Sequence, residues 1–160
     1  MKTTDLCDEF PDAVIVAEPL FTHYGKRRRF HGPATTIKVH EDNVLVRTTL
    51  QEAGNGRVLI VDGGGSLRRA LLGDILAGMA ADNGWAGVIV NGCIRDSADI
   101  AAIEVGVMAL ATIPIKSNKR GDGETGASVS FAGITIRPGE FVYADEDGLI
   151  LSRHELVPDN

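Results

Sequence analysis

The sequence predicts an α/β protein, and three observations carry that prediction. Val58-Leu59-Ile60-Val61, Val88-Ile89-Val90 and Val107-Met108-Ala109-Leu110-Ala111-Thr112 are uninterrupted apolar runs, the pattern of strands covered on both faces. Segments with helical spacing and capping residues lie between or beside them. Beyond residue 126 the pattern changes to short β runs separated by Ala132-Gly133, Pro138-Gly139 and Asp147-Gly148. The expected architecture is a single domain over 1–160 with a central, mostly parallel sheet and a β-rich C-terminal portion packed alongside. A chain of 160 residues buries enough surface to need neither disulfides nor a structural metal.

Taken in order, residues 1–11 read as a short leading helix stopped by Pro11, and Ala13-Val14-Ile15-Val16 as a strand ending near Glu18-Pro19. Residues 21–32 are basic, aromatic and glycine-bearing, which predicts a loop, and residues 34–39 alternate as a half-buried strand does. Asp42 or Asn43 caps a helix over residues 44–51 that Gly54-Asn55-Gly56 ends. The first apolar run leads into Asp62-Gly63-Gly64-Gly65-Ser66. That loop lacks both P-loop and dinucleotide spacing, so tight-turn packing is its preferred reading. Asp74 is placed as the N-cap of a helix carrying Ile75, Leu76, Met79 and Ala80 and closed by Asn83-Gly84; the second run ends in residues 91–96, and Ser97-Ala98-Asp99 opens another helix. Residues 114–126 form a polar loop that either closes over a site or crosses the surface. Asp145-Glu146-Asp147-Gly148 lacks EF-hand spacing and reads as a solvated hairpin turn.

Composition excludes several classes. With 44% hydrophobic residues but no long uncharged run, no membrane span is expected, and the mixed, acidic N-terminus lacks signal-peptide character, giving a cytoplasmic expectation. A net charge of −6 argues against broad nucleic-acid binding. The basic patch Lys26-Arg27-Arg28-Arg29 has no interleaved aromatic platform and reads as a solvated loop or subunit-interface patch. Cys7 and Cys93 match no metal or redox spacing, the four histidines form no ligand pair, and no GxSxG elbow occurs.

The candidate chemistry lies in Gly73-Asp74-Ile75-Leu76 and Arg95-Asp96. Twenty residues separate Asp74 from Arg95, about the length of a helix plus the next strand, which returns the chain to the same sheet edge. Two carboxylates can hold a divalent cation and a guanidinium an anion, and the Ile75 and Leu76 amides stand at a helix start suited to a carboxylate or phosphate. Each piece also has a structural reading. Asp74 alone reads best as a cap of its own helix, and Arg95-Asp96 as a salt bridge plus cap, but their shared place at a strand end favours function.

Asp62-Gly-Gly-Gly-Ser, residues 70–77, Gly92-Cys93-Ile94-Arg95-Asp96 and residues 143–148, with Glu18-Pro19-Leu20-Phe21 and the Glu41-Asp42-Asn43 corner, resemble the RraA-like family over essentially the whole chain. The family contains regulators of ribonuclease E activity and metal-dependent aldolases. Some members carry a menaquinone-pathway methyltransferase label, for which this sequence shows no methyl-donor motif. The resemblance implies a layered β/β/α, swivelling-type fold and a ring-shaped homotrimer.

Asp74, Arg95, Asp96 and the following acidic Asp99 match the aldolase signature Asp-x20-Arg-Asp, whose second aspartate the ribonuclease regulators can lack. Carried over, the resemblance implies that Asp96 ligates Mg²⁺ or Mn²⁺, that Asp74 reaches it through water, and that Arg95 and the Gly73, Asp74, Ile75 and Leu76 turn hold the pyruvoyl end of a small keto acid. The implied activity is that of a class II 4-hydroxy-4-methyl-2-oxoglutarate aldolase with oxaloacetate decarboxylase activity, through a metal-stabilised pyruvate enolate. The alternative is a protein-binding inhibitor of a ribonuclease E-like partner. The larger aldolases use an acidic residue from a neighbouring subunit's C-terminal extension. This sequence ends at Asp159-Asn160, so the resemblance implies that this acid is missing or replaced and that decarboxylation survives better than aldol cleavage.

Overall fold

The apolar runs become the centre of one sheet. In the computed structural model, which describes residues 1–158, the elements in chain order are α1 (Thr3–Glu9), β1 (Ile15–Val16), β2 (Thr22–His23), β3 (Phe30–Lys38), α2 (Val44–Leu50), β4 (Val58–Asp62), β5 (Ala70–Leu72) and α3 (Asp74–Asp82). There follow β6 (Gly87–Ile94), α4 (Ser97–Ile100), β7 (Gly106–Thr112), β8 (Glu124–Thr125), β9 (Val129–Phe131), β10 (Ile134–Ile136), β11 (Phe141–Asp145) and β12 (Gly148–Ser152). The sheet order is β1-β12-β11-β3-β4-β6-β7-β2, with β5 beside β6 and β8 beside β3. Among the named strands of the described residues, β3–β4, β4–β6, β5–β6 and β6–β7 pair parallel and the other pairs are antiparallel.

The mostly parallel sheet expected from the sequence is thus a mixed sheet with a parallel centre. The cause is connection length: a turn of two residues between β11 and β12 returns the chain antiparallel, whereas parallel neighbours need a crossover such as α3.

Strand alternation builds two cores. Leu59 and Val61 face a helical layer and pack with Val46 and Leu50 of α2, Leu76 and Ala80 of α3, and Ile100 of α4. Val58 and Ile60 face the other way, onto a two-stranded sheet of β9 and β10 that contributes Val129, Ile134 and Ile136. Phe30 shows why β6 and β7 each begin with glycine. Its ring lies where a Cβ on Gly87 or Gly106 would stand, 2.5 Å and 2.2 Å away, so any side chain there evicts it. A third cluster, Leu6, Tyr143, Ile150 and Leu156, fastens both chain ends to β11 and β12.

Several local expectations are corrected. The strand over residues 13–16 is only two residues long, and the loop over residues 21–32 contains β2 and the start of β3. Residues 91–94 continue β6 rather than leaving it, and the polar loop over residues 114–126 includes β8. Gly73, not Asp74, caps α3, which places Asp74 in its first turn. The Asp145 turn is not solvated as a whole. Asp145 is 2% exposed and accepts hydrogen bonds from the Thr3 amide (2.7 Å), the Thr3 hydroxyl (2.8 Å) and the Asp147 amide (2.9 Å), so it anchors α1 to the sheet. Burial pushes its carboxyl upward, but these bonds outweigh burial and hold it below the usual carboxylate range. Asp159 and Asn160 lie outside the described residues.

Candidate active site

The unit β5–α3–β6 builds the site. β5 and β6 run parallel with Leu72 beside Ile94, and the Arg95 amide donates to the Leu72 carbonyl at 2.9 Å. The next residues on the two strands are Gly73-Asp74 and Arg95-Asp96, so strand register brings together the four residues that the sequence placed at one edge. The Asp74 amide donates to Asp96 Oδ2 at 3.1 Å, and a Cβ on Gly73 would stand 2.7 Å from that same oxygen. Gly73 is therefore the space in which the Asp96 carboxylate sits. Asp96 itself is in the left-handed region, φ 58°, a conformation Asp tolerates better than most residues.

The helix start is partly used by the protein. Asp74 Oδ1 accepts from the Ile75 amide at 2.9 Å, which removes Ile75 from the expected pair of free amides and leaves its 67% exposed side chain at the rim. The Leu76 amide has no acceptor among the described residues, because Ala77 makes the first bond back to Gly73. Leu76 thus remains a free first-turn donor at the positive end of α3.

Gly73, Asp74, Ile75, Leu76, Arg95 and Asp96 all line one cavity of about 80 Å³. Its other wall was not read from the sequence as part of the site. It consists of Asn43 and Arg47 from the α2 region and Lys116, Ser117 and Lys119 from the polar loop, which does close over the site. The loop is fixed at both ends. Ser117 is buried and donates to the Ala70 carbonyl at 2.6 Å, while the 2% exposed Asp42 accepts from the amides of Arg120 (2.6 Å), Gly121 (3.0 Å) and Val44 (3.0 Å). Burial pushes the Asp42 carboxyl up, but the amides outweigh it and hold it below the usual range. Lys119 Nζ donates to Asn43 Oδ1 at 3.3 Å. Asp99 is exposed on α4 and does not line the cavity.

The cavity therefore sets four cations, Arg47, Arg95, Lys116 and Lys119, against two carboxylates, Asp74 and Asp96. The excess positive charge suits an anion. The carboxylates fit a hard cation that keeps most of its waters: they offer oxygen only, each with one oxygen engaged by an amide, and no cluster of three or more His, Cys, Asp or Glu residues stands ready to hold a metal among the described residues.

Fold and cavity together define an α/β protein with a positively charged cavity at the carboxyl end of its parallel strands. The RraA-like family model, described as Aldolase/RraA, matches residues 3–151, and the chain belongs to that family. A relative from Alkalilimnicola ehrlichii, named "Putative 4-hydroxy-4-methyl-2-oxoglutarate aldolase", is 58% identical over 98% of both chains. Among solved structures, one from Geobacillus kaustophilus named S-adenosylmethionine: 2-dimethylmenaquinone methyltransferase is 51% identical, covers 100% of this chain and 99% of its own, and has a TM-score of 0.97. The RNA-processing inhibitor RraA from Thermus is 46% identical over 98% of this chain and 95% of its own, with a TM-score of 0.95.

Proposed function

We infer that this chain is a divalent-cation-dependent lyase that cleaves 4-hydroxy-4-methyl-2-oxoglutarate to pyruvate and decarboxylates oxaloacetate. The observation that carries the reading is the cavity in which Arg95, Asp74 and Asp96 meet under an excess of positive charge. The name of the Alkalilimnicola relative supports it. In the cleavage the 4-hydroxyl gives up its proton, the C3–C4 bond breaks, and C3 takes a proton, leaving two pyruvates. Asp96, with Asp74 beside it, would hold Mg²⁺ or Mn²⁺, which supplies Lewis-acid stabilisation for the negative charge that develops on the keto oxygen.

The protein's own groups do the holding. Arg95 and the Leu76 amide grip the carboxylate next to the keto group, while Gly73 and the Asp74 amide fix the Asp96 carboxylate. The sequence shows no methyl-donor motif, so the methyltransferase name of the Geobacillus structure is not carried over to this chain. The reading includes a cytoplasmic homotrimer and a swivelling-type β/β/α arrangement. The exposed apolar side chains Leu67, Ile75 and Ile115 favour assembly, and the helix, sheet and hairpin layers favour the fold assignment.

The test is pyruvate release from 4-hydroxy-4-methyl-2-oxoglutarate by protein stripped with chelator and resupplied with Mg²⁺. Activity is expected to vanish on stripping, return with the cation, and be lost in Asp96→Ala. Activity indifferent to both treatments sinks the reading.

The likeness to the Thermus inhibitor favours a second reading, a regulator that binds a ribonuclease E-like partner. The basic patch lends it little, because Lys26 and Arg27 lie 3.7 Å from Glu104 and Arg29 lies 3.1 Å from Glu146. Co-purification with a ribonuclease that survives charge reversal at Arg28 and Arg29 removes the patch from that reading. No helix among the described residues is long and apolar enough to cross a membrane.

A further inference from the structure

Two of the four cations in the cavity are guanidiniums, and they come from different walls. Arg95 follows β6, whereas Arg47 stands on α2, one helical turn beyond Asn43 and on the same face. Neither side chain has a carboxylate partner among the described residues, although Arg29, Arg57, Arg68 and Arg137 all have one. The two lysines are differently placed. Lys119 is already engaged with Asn43, and Lys116 forms an isolated parallel bridge with Ala70 while its carbonyl separately accepts from the Arg69 guanidinium at 3.0 Å. An exposed arginine without a carboxylate partner among the described residues, lining a small cavity that already has one guanidinium, is placed to meet a second anionic group.

Resting on the lyase reading above, we propose that Arg47 is the specificity-determining residue for the far carboxylate of a dicarboxylic keto acid, and that it favours aldol cleavage over decarboxylation. The two reactions use that carboxylate in opposite ways. When 4-hydroxy-4-methyl-2-oxoglutarate is cleaved between C3 and C4, the far carboxylate leaves unchanged on the second pyruvate, so an ion pair to Arg47 persists through the transition state. When oxaloacetate loses its far carboxylate as carbon dioxide, the negative charge moves out of that group into the pyruvate fragment. An ion pair to Arg47 then stabilises the ground state more than the transition state and slows the step.

The experiment compares the wild-type protein, Arg47→Met and Arg47→Lys. Met is a strong helix former and the Arg47 side chain makes no hydrogen bond or ion pair among the described residues, so little change in stability is expected. Equilibrium binding is measured first by calorimetry with 2-oxoglutarate, which has the same five-carbon, two-carboxylate backbone but no 4-hydroxyl to permit cleavage, and with pyruvate, which lacks the far carboxylate. Arg47→Met is expected to weaken 2-oxoglutarate by about 10- to 100-fold, the scale of a lost charge-assisted hydrogen bond, and to leave pyruvate unchanged.

In turnover, the same variant is expected to raise KM for 4-hydroxy-4-methyl-2-oxoglutarate, to lower kcat/KM by a similar factor, and to leave kcat for oxaloacetate decarboxylation equal or higher. Arg47→Lys is expected to fall between, since a single ammonium replaces the two-pronged contact. Equal 2-oxoglutarate affinity in the wild-type and Arg47→Met proteins, or equal losses for pyruvate and 2-oxoglutarate, overturns the proposal while the lyase reading stands. A wild-type protein that turns over neither substrate overturns the lyase reading, and the proposal falls with it.

Discussion

Asp145 and Asp96 both stand where a strand gives way to a turn, yet their surroundings are opposite. Asp145 is buried and both its oxygens are occupied, by Thr3 and Asp147, so nothing of its charge is left over. Asp96 is exposed, has one bond from the Asp74 amide, and faces a cavity whose cations outnumber its anions. Asp42, next to the cavity, belongs with Asp145: three amides saturate it and its role is to pin the loop. An aspartate at a sheet end builds structure when the protein completes its hydrogen bonds. It is available for chemistry when the protein leaves them incomplete.

The largest expected effect tests the unsaturated side of that contrast. Asp96→Ala is expected to lower kcat/KM for keto-acid cleavage by about 10³-fold, the scale of losing a group that supports developing charge, while unfolding free energy changes by about 1 kcal/mol or less. A variant that unfolds but keeps its specific activity would place Asp96 with Asp145.

Asp145→Ala tests the saturated side. Stranding the buried donors of Thr3 and Asp147 is expected to cost about 3 kcal/mol, seen as a fall in Tm of roughly 6 to 12 °C, with activity per folded molecule intact. Loss of activity at unchanged Tm breaks the comparison.

Gly73→Ala probes the space between them, because the new methyl group would stand 2.7 Å from Asp96 Oδ2. Displacement of that carboxylate by a fraction of an ångström is expected to reduce kcat/KM by about 10- to 100-fold, with little change in Tm.

The smallest effect is in pH dependence. Asp42 and Asp145 have folded pKa values held below their unfolded values, so the stability they add is complete above the unfolded carboxylate value of about 3.9 and is lost as pH falls through the lower folded values. Urea unfolding should give these two groups no slope between pH 7 and 5 and a decline below about pH 4, weaker in Asp145→Asn. A decline unchanged in that variant removes Asp145 from the account.

The sequence made the centre of the molecule legible and its margins less so. The strands β4, β6 and β7 announce themselves because burial on both faces demands continuous apolar residues. β5 has three residues after a pair of arginines, too few to show any period, and β2 and β8 are two-residue edges whose partners lie far along the chain. The same division runs through the site. Asp74, Arg95 and Asp96 are linked by one crossover whose length can be counted. Lys119 joins them because Asp42 and Ser117 tie the loop down, and Arg47 because α2 packs with α3 in one core, contacts between distant segments that local spacing does not encode. A signal for Arg47 was present in its four-residue spacing from Asn43, but it gains meaning only once Lys119 is seen on Asn43.

The left-handed backbone at Asp96 has an evolutionary consequence. Asparagine tolerates that conformation as aspartate does and differs from it in a single codon position, so one mutation can neutralise this position while keeping its contour. On the lyase reading, a descendant of this chain can therefore fall catalytically silent and still present an unaltered surface to whatever binds it. Inheritance of shape is thereby separated from inheritance of chemistry.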